Sequence, residues 1–207
     1  MSGRQLVIAT RSRHKLEELR QLLMLPGVEL LSLDDVGVAD EADEPHETFT
    51  ENAAEKARFF APRTGLPTMA DDSGLEVDAL HGGPGVRTRR YAGESATDDE
   101  NNAKLLDALA GLPPDRRAAR YRCVLVYLDP AAPAAAEPLV TRGTLEGRIT
   151  DAPRGTAGFG YDPIFEPLTE PVGGRTVAEM TAAEKNEISH RAEAARAMRA
   201  ALRELGY

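Results

Sequence analysis

The amino-acid sequence predicts an α/β protein with a mixed β-sheet. Short apolar runs alternate with amphipathic stretches in the first half of the chain, which is typical of βα units. Two later apolar runs are joined by a low-complexity turn, which indicates a hairpin. The 207 residues contain no internal repeat and no linker long enough to separate domains. We therefore expect a single domain over residues 1–207.

The first half of the chain contains two predicted strand and helix pairs. QLVIAT is a compact apolar run that leads into leucines at helical spacing, and Pro26 ends this helix. VELLSL predicts a second strand. Thr48 and Glu51 then form a capping-box pattern that opens a helix, which we expect to end by Pro62.

The second half begins with two short predicted strands, LPTMA and LEVDAL, on either side of a turn at DDSG. A capping box at Thr97 precedes another helix. ARYRCVLVYL has the most regular strand pattern, and the turn DPAAPAAAEP joins it to the strand LVTRGTLEGRI. A capping box at Thr181 opens a last helix, which is predicted to continue to about Leu205.

Composition and charge restrict the class of function. Hydrophobic residues make up 42% and charged residues 29% of the chain, as in an ordinary globular protein. The net charge of -9 argues against a nucleic-acid partner but permits a small anion bound by a local basic cluster. No apolar run approaches the ~20 residues of a membrane helix, so we expect a cytoplasmic protein without a membrane partner. The single cysteine, Cys123, is expected to be buried, with a nucleophilic role as the alternative.

Two adjacent carboxylates, Asp71 and Asp72, follow an apolar run in the segment ADDSGL. Taken alone, the pair is better explained by a turn, because Asp, Ser and Gly are turn formers. Adjacent carboxylates nevertheless repel each other unless a cation, a base or solvent offsets their charge. The pair is therefore also a candidate metal or proton-transfer site.

The strand-to-helix junction ATRSRHK is a candidate phosphate-binding segment. Backbone N–H groups at a helix start attract anions, and a lysine in the first turn can reach the same phosphate. The alternative is an ordinary helix start, with a serine N-cap and a solvated lysine. The candidate residues are Thr10, Arg11, Ser12, Arg13, His14 and Lys15.

A second candidate lysine, Lys56, lies on the helix that follows an acidic loop. An exposed ion pair with Glu51 explains this lysine as well as a phosphate contact does. The acidic loop contains Glu44. If Glu44 lies near Asp71 and Asp72, these carboxylates offer the oxygen ligands that Mg²⁺ prefers when it also binds substrate phosphates.

The segment AGFGYDPIF offers groups that recognise a planar ligand. Glycines on both sides of Phe159 leave its ring able to stack on a base, and Tyr161 and Asp162 supply a hydroxyl and a carboxylate for the edge of that base. A structural loop with buried aromatic residues is the alternative.

The segment EKNEISHR adds three cationic or titratable residues, Lys185, His190 and Arg191, to the predicted last helix. Such charges are most often solvated, which is the alternative here. Taken together, the chain offers cations for phosphate, acids for a cation and an aromatic ring for a base. This combination is typical of a magnesium-dependent nucleotide enzyme.

Five motifs, in this order, resemble those of the inosine triphosphate pyrophosphatase family, the bacterial non-standard purine nucleoside triphosphate pyrophosphatases. They are TFTENAAEKA, ADDSGLEVDAL, PGVRTRRYAG, GFGYDPIF and MTAAEKNEISHR, and the resemblance extends over essentially the whole chain. The first phosphate motif departs from the family, which usually has Thr-Gly-Asn where this chain has Thr10, Arg11 and Ser12. Arg11 adds bulk and charge near the expected phosphates.

The resemblance implies both a fold and an activity. The implied fold is an elongated mixed β-sheet flanked by helices, with two lobes around a central substrate cleft, and the implied assembly is a homodimer. The implied activity is Mg²⁺-dependent hydrolysis of the α–β phosphoanhydride of ITP, dITP and XTP. The products are the monophosphate and pyrophosphate, and the reaction cleanses the nucleotide pool.

The resemblance also implies a role for each candidate residue. Asp72 is expected to be the general base and a metal ligand, with Glu44 and Asp71 completing the Mg²⁺ site. Donors such as Arg191 favour a purine with an oxygen at position 6 over adenine. The triphosphate is expected to contact residues 10–15, Lys56, Ser73 and Lys185. The purine is expected to contact Phe159, Gly160, Tyr161, Asp162, His190 and Arg191, with Phe159 stacking on the ring.

Two other functions remain open at this point. One is a related pyrophosphatase of the Maf type, which prefers modified pyrimidines, and the motifs GFGYDPIF and SHR speak against it. The other is a nucleotide-binding regulatory module that has lost turnover. The intact acid pair argues against such a module, and magnesium-dependent pyrophosphate release would exclude it.

Overall fold

The computed structural model describes residues 4–133 and 137–207 and confirms the α/β class. Strands and helices follow the predicted succession over most of the chain. The strands are β1 (Arg4–Ala9), β2 (Val28–Ser32), β3 (Thr68–Val77), β4 (Ala118–Leu128), β5 (Leu139–Ile149) and β6 (Phe165–Pro167), and the helices are α1 (Arg13–Leu23), α2 (Phe49–Thr64), α3 (Asp98–Ala108), α4 (Ala182–Ile188) and α5 (His190–Glu204).

The described strands form one sheet of six, in the order β2-β1-β3-β4-β5-β6. Strand β1 pairs in parallel with both β2 and β3, whereas β5 and β6 are antiparallel, so the predicted mixed sheet is confirmed. Strands β4 and β5 are neighbours, as expected for the two runs joined by the alanine-rich turn. The central part of that turn, residues 134–136, lies outside the described residues.

The chain divides into two compact units, each built from separate segments. Unit 1 contains Met1–Asp72, Cys123–Gly143 and Arg191–Tyr207, and unit 2 contains Ser73–Arg122 and Thr144–His190. The two units have separate apolar clusters. Leucines of α1 pack with β1, β4 and the alanine and methionine stripe of α5 in unit 1, and residues of β3, α3, β4 and β5 pack around Phe165 in unit 2. The expectation of a single domain stays a prediction.

The predicted turn at the acid pair is wrong. Strand β3 continues from Thr68 to Val77 through Asp71 and Asp72, so the two predicted short strands are one. A strand tolerates buried adjacent acids only when neighbouring groups compensate their charge. Local composition cannot show those groups, because they come from other elements.

Two predicted helix ends are also wrong. Helix α2 begins as expected, with Thr48 Oγ1 accepting from Glu51 N, but it passes Pro62 and ends at Gly65, whose φ is 66°. The predicted last helix is two helices, because Ser189 adopts an extended conformation with ψ of 151°. Serine is a frequent helix-capping residue, so Ser189 could have indicated a helix boundary, but the apolar residues at helical spacing on both sides of it indicated one continuous helix. Among the described residues, no helix combines the length and apolar character needed to span a membrane.

Candidate active site

Asp71 and Asp72 lie in the middle of β3, where both are buried. Consecutive strand residues direct their side chains to opposite faces, but Lys15 and Lys56 both act on the charge of each carboxylate. Lys15 of α1 contacts Asp71, and Lys56 of α2 contacts Asp72. The acid pair is therefore compensated by two lysines from two helices.

The junction between β1 and α1 positions Lys15. Ser12 is the N-cap of α1, with its Oγ accepting from Lys15 N at 3.4 Å, and Thr10 Oγ1 accepts from Ser12 N at 3.3 Å. These bonds hold the first turn of the helix in place. Lys15 Nζ then lies 2.9 Å from Asp71 Oδ2. The predicted phosphate segment and the acid pair thus meet in unit 1.

Lys56 joins the acidic loop to β3. Its Nζ lies 2.7 Å from Glu44 Oε1 and 3.7 Å from Asp72 Oδ1. The sequence alternative, an ion pair with Glu51, is not the arrangement observed, because Glu51 bonds to Thr48 at the helix start. We call Glu44, Asp71, Asp72, Lys15 and Lys56 the carboxylate cluster.

The two adjacent acids differ in their pKa. Burial raises the pKa of Asp72 to about 6, with the Glu44 and Asp71 carboxylates adding to the rise and the two lysines opposing it. Burial also disfavours the charge on Asp71, but Lys15, Lys56 and Arg191 outweigh burial and lower the pKa of Asp71. Near neutral pH, Asp71 is a fixed negative charge, whereas Asp72 is better placed to exchange a proton.

Arg11 extends towards the acidic loop. Its Nη1 lies 2.7 Å from Asp34 Oδ1, and its Nη2 donates to Val38 O at 2.6 Å and to Asp40 O at 2.9 Å. The guanidinium thus binds the segment that leads to Glu44. A phosphate contact by this side chain stays a prediction.

Arg191, at the second position of α5, is ion-paired with Glu18 of α1 inside unit 1, and its side chain is 2% exposed. Burial opposes its charge, but the Glu18 and Asp71 carboxylates favour the charged form, and the pKa of Arg191 is raised. The predicted reading of the purine edge by Arg191 stays a prediction. What the structure shows is a third cation near Asp71.

The donor set of the carboxylate cluster fits a hard divalent cation. Among the described residues, no group of three or more His, Cys, Asp or Glu side chains is arranged to hold a metal ion. Mg²⁺ does not need such a group, because it usually binds through one or two carboxylates, with waters and substrate phosphates completing its ligands. Glu44 and Asp72 both contact the ammonium of Lys56, so their oxygens already converge on one positive charge.

Unit 2 contains the aromatic loop, residues 158–162, which is folded around Asp162. Phe159 N donates to Asp162 Oδ2 at 3.0 Å, and Tyr121 OH donates to Asp162 Oδ1 at 3.2 Å. Gly158 is required here, because its φ is 76° and a Cβ atom would lie 2.1 Å from Asp162 Oδ2. The carboxylate of Asp162 therefore determines the shape of the loop.

Lys185 and His190 lie in the same unit. Lys185 Nζ lies 2.7 Å from Asp162 Oδ2 and 4.6 Å from the centroid of the Phe159 ring. The ring of His190 stacks on Tyr121 with a centroid distance of 4.7 Å and an angle of 9°. Phe159 is half-buried, so part of its ring faces outward.

The other predicted residues differ in burial. Arg13 and His14 are exposed on the first turn of α1, and Ser73 is half-buried where β3 enters unit 2. Tyr161 is buried and donates from its hydroxyl to Thr88 O at 2.8 Å, which indicates a role in holding the loop. Sequence reasoning missed Glu18 and Tyr121. Glu18 follows Lys15 by three positions, a helical spacing that could have suggested it.

Several known proteins are similar to this chain over nearly its whole length. A model of the Ham1 family matches residues 6–201. A Shigella flexneri protein named dITP/XTP pyrophosphatase is 50% identical over 199 residues, which are 96% of this chain and 98% of that protein. The solved structure of a HAM1 protein from Coxiella burnetii is 41% identical, with a TM-score of 0.84 over 97% of this chain and 99% of that chain. A Mycobacterium abscessus structure named nucleoside-triphosphatase / dITP/XTP pyrophosphatase is also 41% identical, with a TM-score of 0.75 over 94% of this chain and 98% of that chain.

Proposed function

The chain belongs to the Ham1 family, and from this premise we propose that it hydrolyses non-standard purine nucleoside triphosphates, such as dITP, XTP and ITP, to the monophosphate and pyrophosphate. Family membership confirms the resemblance inferred from the motifs. The observation that carries the proposal is the carboxylate cluster, in which Lys15 and Lys56 compensate two buried adjacent acids on β3.

In this proposal, unit 1 supplies the groups for the triphosphate and the metal. The backbone and hydroxyls of residues 10–15 bind phosphate, together with Lys15 and Lys56. Glu44 and Asp72 would hold Mg²⁺, with Asp71 beside them, and the ion would supply positive charge against the phosphates. Asp72 accepts a proton from water, whose oxygen bonds to the α-phosphorus while the bond from that phosphorus to the α–β bridging oxygen breaks, so that the monophosphate forms and pyrophosphate leaves.

Unit 2 supplies the groups for the purine. The ring of Phe159 stacks on the base, and Lys185 keeps a positive charge 4.6 Å from the centroid of that ring. His190, whose ring stacks on that of Tyr121, contacts the edge of the purine. Arg191 and Asp162 are further candidates for contacts with this edge. Gly160 and Tyr161 contribute further contacts to the purine. Ser73 and Lys185, which are also in unit 2, are expected to contact the triphosphate.

The assembly and location belong to the same proposal. Ham1-type resemblance implies a homodimer, which light scattering would detect as twice the chain mass of 22.3 kDa. A nucleotide-pool enzyme works where free nucleotides are, so we place the protein in the cytoplasm. We expect no nucleic-acid or membrane partner.

Pyrophosphate release tests the function directly. The substrates are dITP, XTP, ITP, ATP, GTP and dTTP, each with Mg²⁺ and with EDTA. We expect rapid release from the first three only, and only with Mg²⁺. Asp72→Asn should be inactive, and Asp107→Asn, on the exposed side of α3, is the matched control. Binding of dITP without any release would instead support the regulatory module, and preference for modified pyrimidines would support the Maf-type enzyme.

A further inference from the structure

The aromatic loop is held at its middle residue, Gly160, as well as around Asp162. Gly160 follows the stacking residue Phe159 and has a φ of 63°. Its N–H donates to Asp98 Oδ2 at 2.6 Å, and its C=O accepts from Asn102 Nδ2 at 3.0 Å. Both backbone polar groups of this glycine are therefore bound by side chains of one helix, α3.

Helix α3 is suited to this double contact. Asp98 and Asn102 are four positions apart, so they lie on the same face of the helix, one turn from each other. The capping box of Thr97 and Glu100 defines where the helix begins and therefore where Asp98 lies. The helix itself therefore determines the spacing between the Asp98 and Asn102 side chains.

Asn102 is a costly residue for packing alone. Its side chain is buried, and its Oδ1 has no hydrogen-bond partner among the described residues. A leucine would fill a similar volume without burying an unpaired carbonyl oxygen. The bond to Gly160 is the polar contact that the structure gives this side chain, which makes that bond the reason for an amide at position 102.

We propose that Asp98 and Asn102 are positioning residues that determine base affinity by fixing the Phe159 ring through the two backbone groups of Gly160. This inference rests on the proposed function, because it assigns the ring to the purine. Without these bonds, the peptide after Phe159 rotates more freely, since glycine restricts rotation less than any other residue. A ring that samples more orientations binds a planar base more weakly.

The inference separates base binding from phosphate binding. Asp98, Asn102, Gly160 and Phe159 all belong to unit 2, whereas the carboxylate cluster belongs to unit 1. Loss of either α3 contact should therefore raise KM for dITP more than it lowers kcat. Inhibition by pyrophosphate, which has no base, should change little.

A tryptophan reporter tests the inference without turnover. The chain contains no tryptophan, so Phe159→Trp introduces a single fluorophore at the stacking position. In this background, Asp98→Ala and Asn102→Leu should each raise the Kd of IMP, measured by quenching, about tenfold, as expected for loss of a strong hydrogen bond. The inhibition constant of pyrophosphate, measured in the Phe159 enzyme, should change less than twofold.

Asp99→Ala is the matched control, because Asp99 is an exposed acid in the same first turn of α3. It removes the same charge near the helix start and should leave IMP binding unchanged. Asp98→Asn keeps an acceptor oxygen and should restore part of the affinity. Exchange of the Gly160 amide hydrogen should be faster in Asp98→Ala than in Asp99→Ala.

Two results would overturn the inference. One is an unchanged Kd of IMP in Asp98→Ala and Asn102→Leu although Gly160 exchange is faster. The other is equal weakening of IMP and pyrophosphate, which would indicate general loss of structure. A wild-type enzyme that releases no pyrophosphate from dITP would refute the proposed function instead, and Gly160 exchange and IMP binding would still test the role of α3.

Discussion

Each unit of the molecule buries a lysine against an aspartate, but the two surroundings differ. In unit 2, Asp162 accepts from Lys185, Tyr121 OH and Phe159 N, so one acid is matched by one cation and two neutral donors. In unit 1, by contrast, several acids and several cations act on one another: Asp71, Asp72, Glu44 and Glu18 interact with Lys15, Lys56 and Arg191.

This difference separates an acid that holds a loop in place from acids for which we propose a role in catalysis. Asp162 stabilises a loop because its charge is balanced where it lies. Burial raises the pKa of Asp72 to about 6 although Lys56 and Lys15 oppose the rise, so this carboxylate can exchange a proton near neutral pH. The following predictions test this contrast, beginning with the largest expected effect.

Asp72→Asn should lower kcat for pyrophosphate release from dITP by about a thousandfold, because an amide cannot accept the proton of water. Steady-state kinetics with saturating Mg²⁺ provides the measurement, and circular dichroism checks the fold. Asp162→Asn should act mainly on KM in the same assay. An active Asp72→Asn enzyme would contradict the assignment of the general base.

Asp162→Asn should lower the free energy of unfolding by about 3 kcal/mol, because it removes the carboxylate charge that lies 2.7 Å from the buried Lys185 ammonium. Urea unfolding measures the change. Asp151→Asn is the matched control, since Asp151 is 78% exposed in its ion pair with Arg117 and should cost less than about 1 kcal/mol. Equal decreases in the free energy of unfolding of the two variants would contradict a structural role of Asp162.

Asp72→Asn should have the opposite effect on stability and raise the free energy of unfolding of the metal-free protein by about 2 kcal/mol at pH 8. The folded-state pKa of about 6 exceeds the ordinary value of 3.8, so ionised Asp72 destabilises the folded protein above pH 6. As pH falls through 6, Asp72 is protonated and this cost decreases. Urea unfolding in EDTA should therefore show a smaller gain at pH 5 than at pH 8, and a loss at pH 8 would be inconsistent with a raised pKa of Asp72.

Arg11→Gly should lower the free energy of unfolding by about 1 kcal/mol, because it removes an exposed ion pair and two hydrogen bonds to the acidic loop. Hydrogen exchange should become faster in residues 34–40. Arg13→Gly, in the first turn of α1 and exposed, tests for a general effect of losing a basic residue there. Unchanged exchange in the acidic loop would show that Arg11 does not hold it.

Much of the fold followed from local patterns. The capping boxes at Thr97 and Thr181 begin α3 and α4 as predicted, because they satisfy backbone groups within one turn of the chain. Pro62 was a poor boundary signal for α2, since the helix continues to the glycine at position 65, where the left-handed conformation is available. The break at Ser189 was missed because the apolar stripe continues on both sides of it.

The sequence by itself determined which chemical groups are available: a lysine in the first turn of one helix, a lysine in the middle of the next, an adjacent acid pair and an aromatic residue between glycines. Only the tertiary structure decided what each group touches. Asp71 and Asp72 are in a strand rather than a turn because lysines from α1 and α2 compensate their charge. Arg191 meets Glu18 although the two are distant in sequence. Burial and charges from distant parts of the chain determine the conformation and the contacts of these residues. Both depend on which elements pack together, and no local sequence pattern contains that information.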